Sequence, residues 1–510
     1  MGNLFVGSKS NLYYCVVGFV AALGFAPVNA FPLFLLALSW LFVMICDDVE
    51  KNSNIYAKSF LFFTTLHIAT IYWLAYPLMI DLSRHFVLIP FAIIAVPMYF
   101  SAQLVASVFL ARQFQNTYVR AIVFSSAFCV ITYVYGHSSL GFPWVLPAYI
   151  WNYHEVFMQT LSLYGPYGFG LVTMILSCMI GSAIVFYKQK DCKNFVISIA
   201  IAAAIFSAIV VFGIVRISSN APKFTERTAR IVKCNLSQAT EKDDREMSLS
   251  KHLTLSANNE KVDFIIWPEA ALPFLYREDI RWLHKAFAKI LRGGGHLILG
   301  AVREDLHTKK IYNSAIFINC DGDNVEHYDK SHLVPFGEYV PFRSIIPETF
   351  QSIASDIGDF DVGDSPKVVC IDGLKIATSI CYEIAFPVDF LPKDGDPNVI
   401  VNLTNDAWFG FTSQPFQHLQ IVRARAVETG IPVIRATNYG ISAVFDAHGR
   451  ETARINIDEA RYIDVSVPAK TDEPTLYRKY GDRIFWGMLL LLISLLLLRP
   501  FKSLTPPYKI

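Results

Sequence analysis

The sequence predicts a two-part fold, a multi-pass α-helical membrane domain of about eight spans joined to a water-facing α/β domain, and three observations predict it. The first is where the apolar residues lie: they fill positions 12 to 217 and 484 to 498 and leave an ordinary globular mixture between. The second is composition, 53% hydrophobic and 17% charged, whereas a soluble domain runs near about 25% charged. The third is the stretch between, which alternates short β-like runs with helix-like segments.

A spanning helix needs about 20 mostly apolar residues, with about 17 as a lower limit that flanking residues help to meet. Eight stretches answer to this: 11–28, 31–46, 59–79, 86–111, 121–136, 160–187, 194–217 and 483–499. The small-residue segment Val28-Asn29-Ala30 resembles a signal cleavage site, but a second apolar run starts at once, as expected of a retained first span. Lys and Arg gather in cytoplasmic loops. One alternate set of loops holds Lys9, Lys51, Lys58, Arg112, Arg120, Lys188, Lys190, Lys193, Arg499, Lys502 and Lys509, and the other short loops hold Arg84 alone. Both termini are therefore expected in the cytoplasm, with the catalytic stretch outside it, on the periplasmic face of an inner membrane. The expected domains are 1–217 (helical, about seven spans), 218–482 (extracytoplasmic) and 483–510 (a last span and short tail).

Strands are expected at Arg230–Leu236, Phe264–Trp267, His296–Ala301, Asn313–Asn319, Lys375–Ile380, Val399–Leu403, Val433–Thr437 and Ser442–Phe445. A helix over Phe416–Glu428 ends at Gly430. A net charge of +1 gives nothing for a nucleic acid to recognise. Of the nine cysteines, Cys15, Cys46, Cys129 and Cys178 sit in apolar runs, and no disulfide framework or metal spacing appears. Neither a metal nor another cofactor is called for.

Three local sequences place a reactive side chain at a strand end. In Ile265-Ile266-Trp267-Pro268-Glu269, proline breaks an apolar strand and leaves Glu269 where low polarity raises a carboxyl pKa toward that of a general base; a solvated loop glutamate fits the same residues. Lys330 lies in Tyr328-Asp329-Lys330-Ser331-His332-Leu333-Val334-Pro335-Phe336-Gly337-Glu338, a loop able to hold an ammonium near a developing oxyanion, or simply a surface lysine. Ile376-Ala377-Thr378-Ser379-Ile380-Cys381-Tyr382-Glu383 delivers Cys381 at a strand-to-helix turn, where N-terminal amides favour thiolate; an inert buried cysteine is the plain alternative.

Together they supply a nucleophile, a proton acceptor and a cation, the parts of acyl transfer. The order Glu, Lys, Cys with gaps of 61 and 51 residues resembles the nitrilase superfamily of carbon-nitrogen hydrolases, which implies an α-β-β-α sandwich. Leu333-Val334-Pro335-Phe336-Gly337-Glu338-Tyr339-Val340-Pro341, Cys381-Tyr382-Glu383, Asn405-Asp406-Ala407-Trp408-Phe409-Gly410, Thr437-Asn438-Tyr439-Gly440 and Gly141-Phe142-Pro143-Trp144 are similar to the apolipoprotein N-acyltransferase family. Val232-Lys233-Cys234-Asn235 departs from that family's usual Gln-Gly-Asn, and the tryptophan expected near Glu241 and Lys242 is missing.

The resemblance implies Cys381 as nucleophile, Glu269 as general base and then acid, and Lys330 as oxyanion stabiliser. It implies transfer of an sn-1 acyl chain from a phospholipid, phosphatidylethanolamine as the expected donor, through a thioester to the α-amino group of a diacylglyceryl cysteine on an apolipoprotein. Glu338 and Glu383 match positions near the site, as orienting groups or as loop supports. Trp144, Asn313 and Tyr382 are candidates for lining the substrate cavity, with packing as the alternative. The loop from Tyr135 to Gln159 has many aromatic residues and no Lys or Arg, which suits the headgroup level of a bilayer.

Two other readings compete. A membrane-anchored amidase would use the same triad on a small C–N substrate, yet has no need of a multi-span apolar domain. A transporter or receptor would need ionisable groups in its spans, which hold chiefly His67. The lysine asymmetry makes a direct prediction: a cysteine placed beside Lys190 stays unlabelled when an impermeant thiol reagent is added outside intact cells, and labelling there reverses the orientation.

Overall fold

The computed structural model describes residues 2–51, 54–138, 140–236, 245–257, 260–292, 294–344 and 358–497. Glu241, Lys242, Arg499, Lys502 and Lys509 lie outside them. Two compact units emerge, one of Met1–Ala75, Val87–Ser219 and Leu476–Ile510, the other of Tyr76–Phe86 and Asn220–Thr475.

Among the described residues five helices are long and apolar enough to cross a membrane: Ile55–Met79, Phe86–Arg112, Thr117–Gly136, Leu161–Lys188 and Cys192–Ser218. Three shorter apolar helices cover Asn11–Ala22, Phe31–Asp47 and Arg483–Leu497. Eight spans are expected; the first two of these shorter stretches belong to the helices Gly2–Ala22 and Phe31–Lys51, each of 21 residues. Several hydroxyls inside them are satisfied by their own helix, as suits an apolar medium: Thr70 Oγ1 donates to Leu66 O at 2.8 Å and Thr173 Oγ1 to Phe169 O at 2.8 Å. Helices also meet closely through small residues. A Cβ on Gly181 would stand 2.7 Å from Ser39 O, and nearby Ser39 Oγ donates across to Ser177 O at 2.7 Å.

Among its described residues the second unit holds twelve strands: β1 (Phe224–Lys233), β2 (Phe264–Ile266), β3 (His296–Glu304), β4 (Ile311–Ile318), β5 (Asn324–Asp329), β6 (Val368–Ile371), β7 (Leu374–Ile380), β8 (Val399–Thr404), β9 (Val433–Thr437), β10 (Ser442–Phe445), β11 (Glu451–Ile455) and β12 (Arg461–Pro468). They form two six-stranded sheets, ordered β12-β1-β2-β3-β4-β5 and β11-β10-β9-β8-β7-β6. β1, β2 and β3 run parallel, as do β7, β8 and β9, and the remaining neighbours are antiparallel.

Side chains alternate between faces along each strand, and that alternation builds four layers. Ile231, Ile266, Ile298 and Phe317 of the first sheet meet Ile376, Val401, Leu403 and Ile434 of the second in one core. The intervening residues Val232, Ile265, Leu297 and Ile316 face outward and pack with Leu283 and Phe287 of the helix Arg281–Ile290. On the other side Ala377, Ile400 and Val433 pack with Leu419, Val422 and Ala426 of the helix Gln414–Thr429. This is the α-β-β-α sandwich that the resemblance implies. The second helix stops where the sequence places its end, at Gly430 with φ of 69° in the left-handed region.

One contact decides how close a strand may come to Glu269. Gly300 of β3 carries no Cβ, and one added there would stand 2.5 Å from both Glu269 Cα and Pro268 O. Gly300→Ala is expected to destabilise the domain by about 1–3 kcal/mol through overpacking, read as a lower unfolding temperature of the purified protein. An unchanged transition would show that the segment yields without cost.

Candidate active site

Strand ends gather the chemistry. Glu269 follows β2 by three residues, while Lys330 and Cys381 come directly after β5 and β7. Backbone pairing continues past the first two of these ends: Gly300 N–H donates to Pro268 O at 3.1 Å, and Lys330 N–H to Asn313 O at 2.8 Å. Position in this site is therefore set by the sheets rather than by free loops.

Lys330 is 1% exposed. Its Nζ lies 2.9 Å from each carboxylate oxygen of Glu338 and 3.8 Å from Glu269 Oε1. Burial pulls the ammonium pKa down, but Glu338 first and Glu269 second outweigh it, and the group is held above its ordinary value. Lys330 stays charged.

Asn313 joins the two carboxylates. Its Nδ2 donates to Glu269 Oε1 and to Glu338 Oε1, both at 2.8 Å, so the two amide hydrogens are both used. The second oxygens are held by the backbone, Val334 N–H on Glu338 Oε2 and Asn405 N–H on Glu269 Oε2, each at 2.8 Å. Burial raises the Glu269 pKa against the lowering effects of Lys330, Asn313 and a hydrogen bond with the Cys381 thiol, and Glu338 adds to the rise.

Cys381 adopts φ of 53°, a left-handed conformation that costs a non-glycine residue about 1–2 kcal/mol. The element that follows corrects one expectation. Cys381–Ala385 is a single 3₁₀ turn, not an α-helix, so no aligned run of peptide dipoles stands behind the sulfur. Burial and the Glu269 carboxylate instead push the thiol well above its usual pKa, with Lys330 opposing them. At rest the sulfur holds its proton.

Glu383 is 2% exposed. Its Oε1 accepts from Ser331 N–H (2.8 Å), Tyr328 Oη (2.9 Å), His332 N–H (3.0 Å) and Ser331 Oγ (3.1 Å), and its Oε2 from Ile380 N–H (2.7 Å). One carboxylate thus ties the segment after Lys330 to the residue before Cys381. Tyr382 is buried, its ring edge-on to Phe386 at 5.1 Å, and burial keeps its phenol protonated. Trp144 belongs to the other unit, where it is buried against Trp73 (5.1 Å) and Phe142 (5.7 Å). Of its loop partners, Tyr149 and Trp151 are buried too and Tyr153 is exposed. At the departure from the family pattern, buried Lys233 donates to Glu459 O (2.6 Å), Asn235 Oδ1 (3.0 Å) and Ile457 O (3.1 Å), and burial lowers its pKa to about 8.

The residue reading missed a buried polar group of Asp406, Gln414, His418 and Arg435. A signal existed: Arg435 interrupts β9, an otherwise apolar run in which every residue is buried. For Glu383, Glu383→Ala takes the acceptor from five donor groups, and a loss of about 3 kcal/mol or more is expected, against a smaller loss for Glu383→Gln. Equal unfolding temperatures for Glu383→Ala and the parent protein would contradict that tie.

The comparisons follow the two units. Residues 17–179 match the model of the apolipoprotein N-acyltransferase N-terminal domain, and residues 229–473 that of carbon-nitrogen hydrolases. Apolipoprotein N-acyltransferases of Rickettsia prowazekii and Rickettsia typhi are each 30% identical over 506 residues, covering 97% of this chain and 99% of their own. That of Allorhizobium ampelinum is 30% identical over 516 residues, covering 96% of both chains. With both parts in the same order and this identity from end to end, the chain belongs to the apolipoprotein N-acyltransferase family.

Proposed function

We propose that this membrane protein moves a fatty acyl chain from a phospholipid, phosphatidylethanolamine as the expected donor, to the N-terminal diacylglyceryl cysteine of an apolipoprotein, with Cys381, Glu269 and Lys330 as its triad. The observation that carries the reading is the Glu269 carboxylate, 3.8 Å from the buried Lys330 ammonium, with both charges close enough to Cys381 to act on its thiol in opposite directions. Because the thiol is protonated at rest, attack on an ester requires a base in place. Glu269 takes the proton as sulfur bonds to the carbonyl carbon.

The carbonyl oxygen then becomes an oxyanion, and the Lys330 ammonium, fixed by Glu338, stabilises it. Collapse breaks the C–O bond, Glu269 returns the proton to the departing glycerol oxygen, and a lysophospholipid leaves a thioester behind. The acceptor's free α-amine attacks that carbonyl next. Sulfur is expelled and regains a proton through Glu269, and a stable amide forms without ATP. A small-substrate amidase is disfavoured by the match of residues 17–179 to an N-acyltransferase N-terminal domain.

The arrangement in the membrane is part of the proposal: about eight spans, domains at 1–217, 218–482 and 483–510, both termini cytoplasmic and the triad on the periplasmic side of an inner membrane. Asn313, Glu338 and Glu383 serve as positioning residues, and Tyr382 in the α/β unit and Trp144 in the helical unit are each a substrate-contact residue of its own unit. Intact-mass analysis of the full chain tests the core of this. Phosphatidylethanolamine vesicles should add a fatty-acyl mass that hydroxylamine removes and that Cys381→Ala lacks. Lys330→Ala should raise the barrier to acylation by about 2.7–4 kcal/mol. A hydroxylamine-labile acyl mass on Cys381→Ala, or full-rate acylation of Lys330→Ala, removes that residue from the mechanism.

A further inference from the structure

Residues 359–363 form neither helix nor strand, yet they are bonded throughout to the loop that carries Lys330 and Glu338. Gly363 N–H donates to Lys330 O at 2.8 Å and Phe360 N–H to Glu338 O at 2.9 Å. Asp361 pairs with the first residue of β4, its N–H donating to Ile311 O at 2.8 Å and its Oδ2 accepting from Ile311 N–H at 3.1 Å. Asp359 closes the far end. Its Oδ2 accepts from Val340 N–H at 3.3 Å, and its two oxygens accept from Arg343, Nε on Oδ2 and Nη2 on Oδ1, each at 3.0 Å.

Loop peptides ordinarily face water, so a stretch spent on these partners has another use. β5 is the edge of its sheet, and sheet pairing reaches Lys330 only through its N–H, on Asn313 O. Between there and Glu338 the chain passes Pro335, Phe336 at φ of 62° and Gly337. An ammonium on a flexible four-carbon stem is only as well placed as the Cα it hangs from and the carboxylate it meets. Residues 359–363 hold the peptides of both, Lys330 and Glu338. They also tie them to Ile311, two residues before the Asn313 amide that joins Glu338 to Glu269.

Gly363 sets how near this stretch can come. A Cβ there would stand 2.2 Å from Asp329 O and 2.5 Å from Asp329 C, backbone atoms that cannot swing aside. Asp329 is itself fixed, paired with Ser314 in the sheet and held by Arg303 through Nη2 at 2.7 Å and Nε at 3.2 Å. A side chain at 363 therefore lifts this stretch off Lys330 instead of moving Asp329.

We propose that residues 359–363 are a positioning strap for the oxyanion charge: by holding the Lys330 and Glu338 peptides together they keep the ammonium where the carbonyl oxygen becomes negative. Gly363 is the residue that permits the approach. This rests on Lys330 being the oxyanion stabiliser. No step of the chemistry passes through the strap.

Single-turnover thioester formation by the full-length protein, with phosphatidylethanolamine vesicles as donor, tests this in two backgrounds. Gly363→Ala should slow acylation at saturating lipid by about 100-fold, the scale for a group misplaced by about 1 Å, and leave the half-saturating lipid concentration unchanged. In the Lys330→Ala protein the same substitution should cost less than about 2-fold more, because the group it misplaces is gone. Damage to the fold at large slows both backgrounds alike, so equal slowing overturns the proposal. A parent rate in Gly363→Ala does too, as does a changed half-saturation at unchanged rate. If Gly363→Ala does not purify folded, Asp359→Ala is measured in the same two backgrounds: slowing confined to the protein that keeps Lys330 supports the strap, and equal slowing or a parent rate refutes it. Lys330→Ala alone keeps the two claims apart, because full-rate acylation by that variant refutes the oxyanion role itself.

Discussion

An ammonium removed from water survives only among carboxylates, and that constraint on Lys330 organises the rest of the site. Stripping the hydration from one such ion costs several kcal/mol even after relaxation. Glu338 at 2.9 Å and Glu269 at 3.8 Å offset it, but they bring two further buried charges that need donors of their own. Asn313 supplies both its amide hydrogens, and the backbones of Val334 and Asn405 supply the rest. Those donors belong to β4, to the loop after β5 and to the end of β8, so both sheets must be in register before the charge is tolerated.

The same burial explains why the thiol waits. With the Cys381 pKa raised well above its ordinary value by burial and by Glu269, the resting sulfur is a neutral thiol, not a preformed thiolate. A nucleophile that forms only as its proton moves is poorly suited to indiscriminate attack. The 3₁₀ turn after Cys381 agrees with this, since it lacks the length of a helix whose dipole would ionise the sulfur unaided.

What the sequence revealed and what it concealed divide along physical lines. All eight expected strands are present, and the four unforeseen ones, β5, β6, β11 and β12, are the four edges of the two sheets. Central strands are covered on both faces and read as apolar runs. Edges carry polar and charged residues that blunt further pairing, as in Asn324–Asp329 and Glu451–Ile455, and the apolar signal fades there. Glu269 and Cys381 were legible because each stands at the end of an apolar run, whereas Lys330, directly after the polar strand Asn324–Asp329, was legible through its charged, Pro- and Gly-rich loop and its order between the other two. Asn313 and Glu338 gave no such signal, for what they do depends on carboxylates brought together from distant positions.

The pairing of β1 with β12, which sets Phe224 opposite Pro468, carries a consequence for biosynthesis. A ribosome makes β1 first among the strands and β12 last, so the first sheet has an unfilled edge until nearly all of the α/β unit has been made. Contacts this distant in sequence form slowly. Completion of the sheet falls just before synthesis of the last apolar helix, Arg483–Leu497. Since its first and last strands lie side by side, the chain enters and leaves the α/β unit at neighbouring points of one sheet edge.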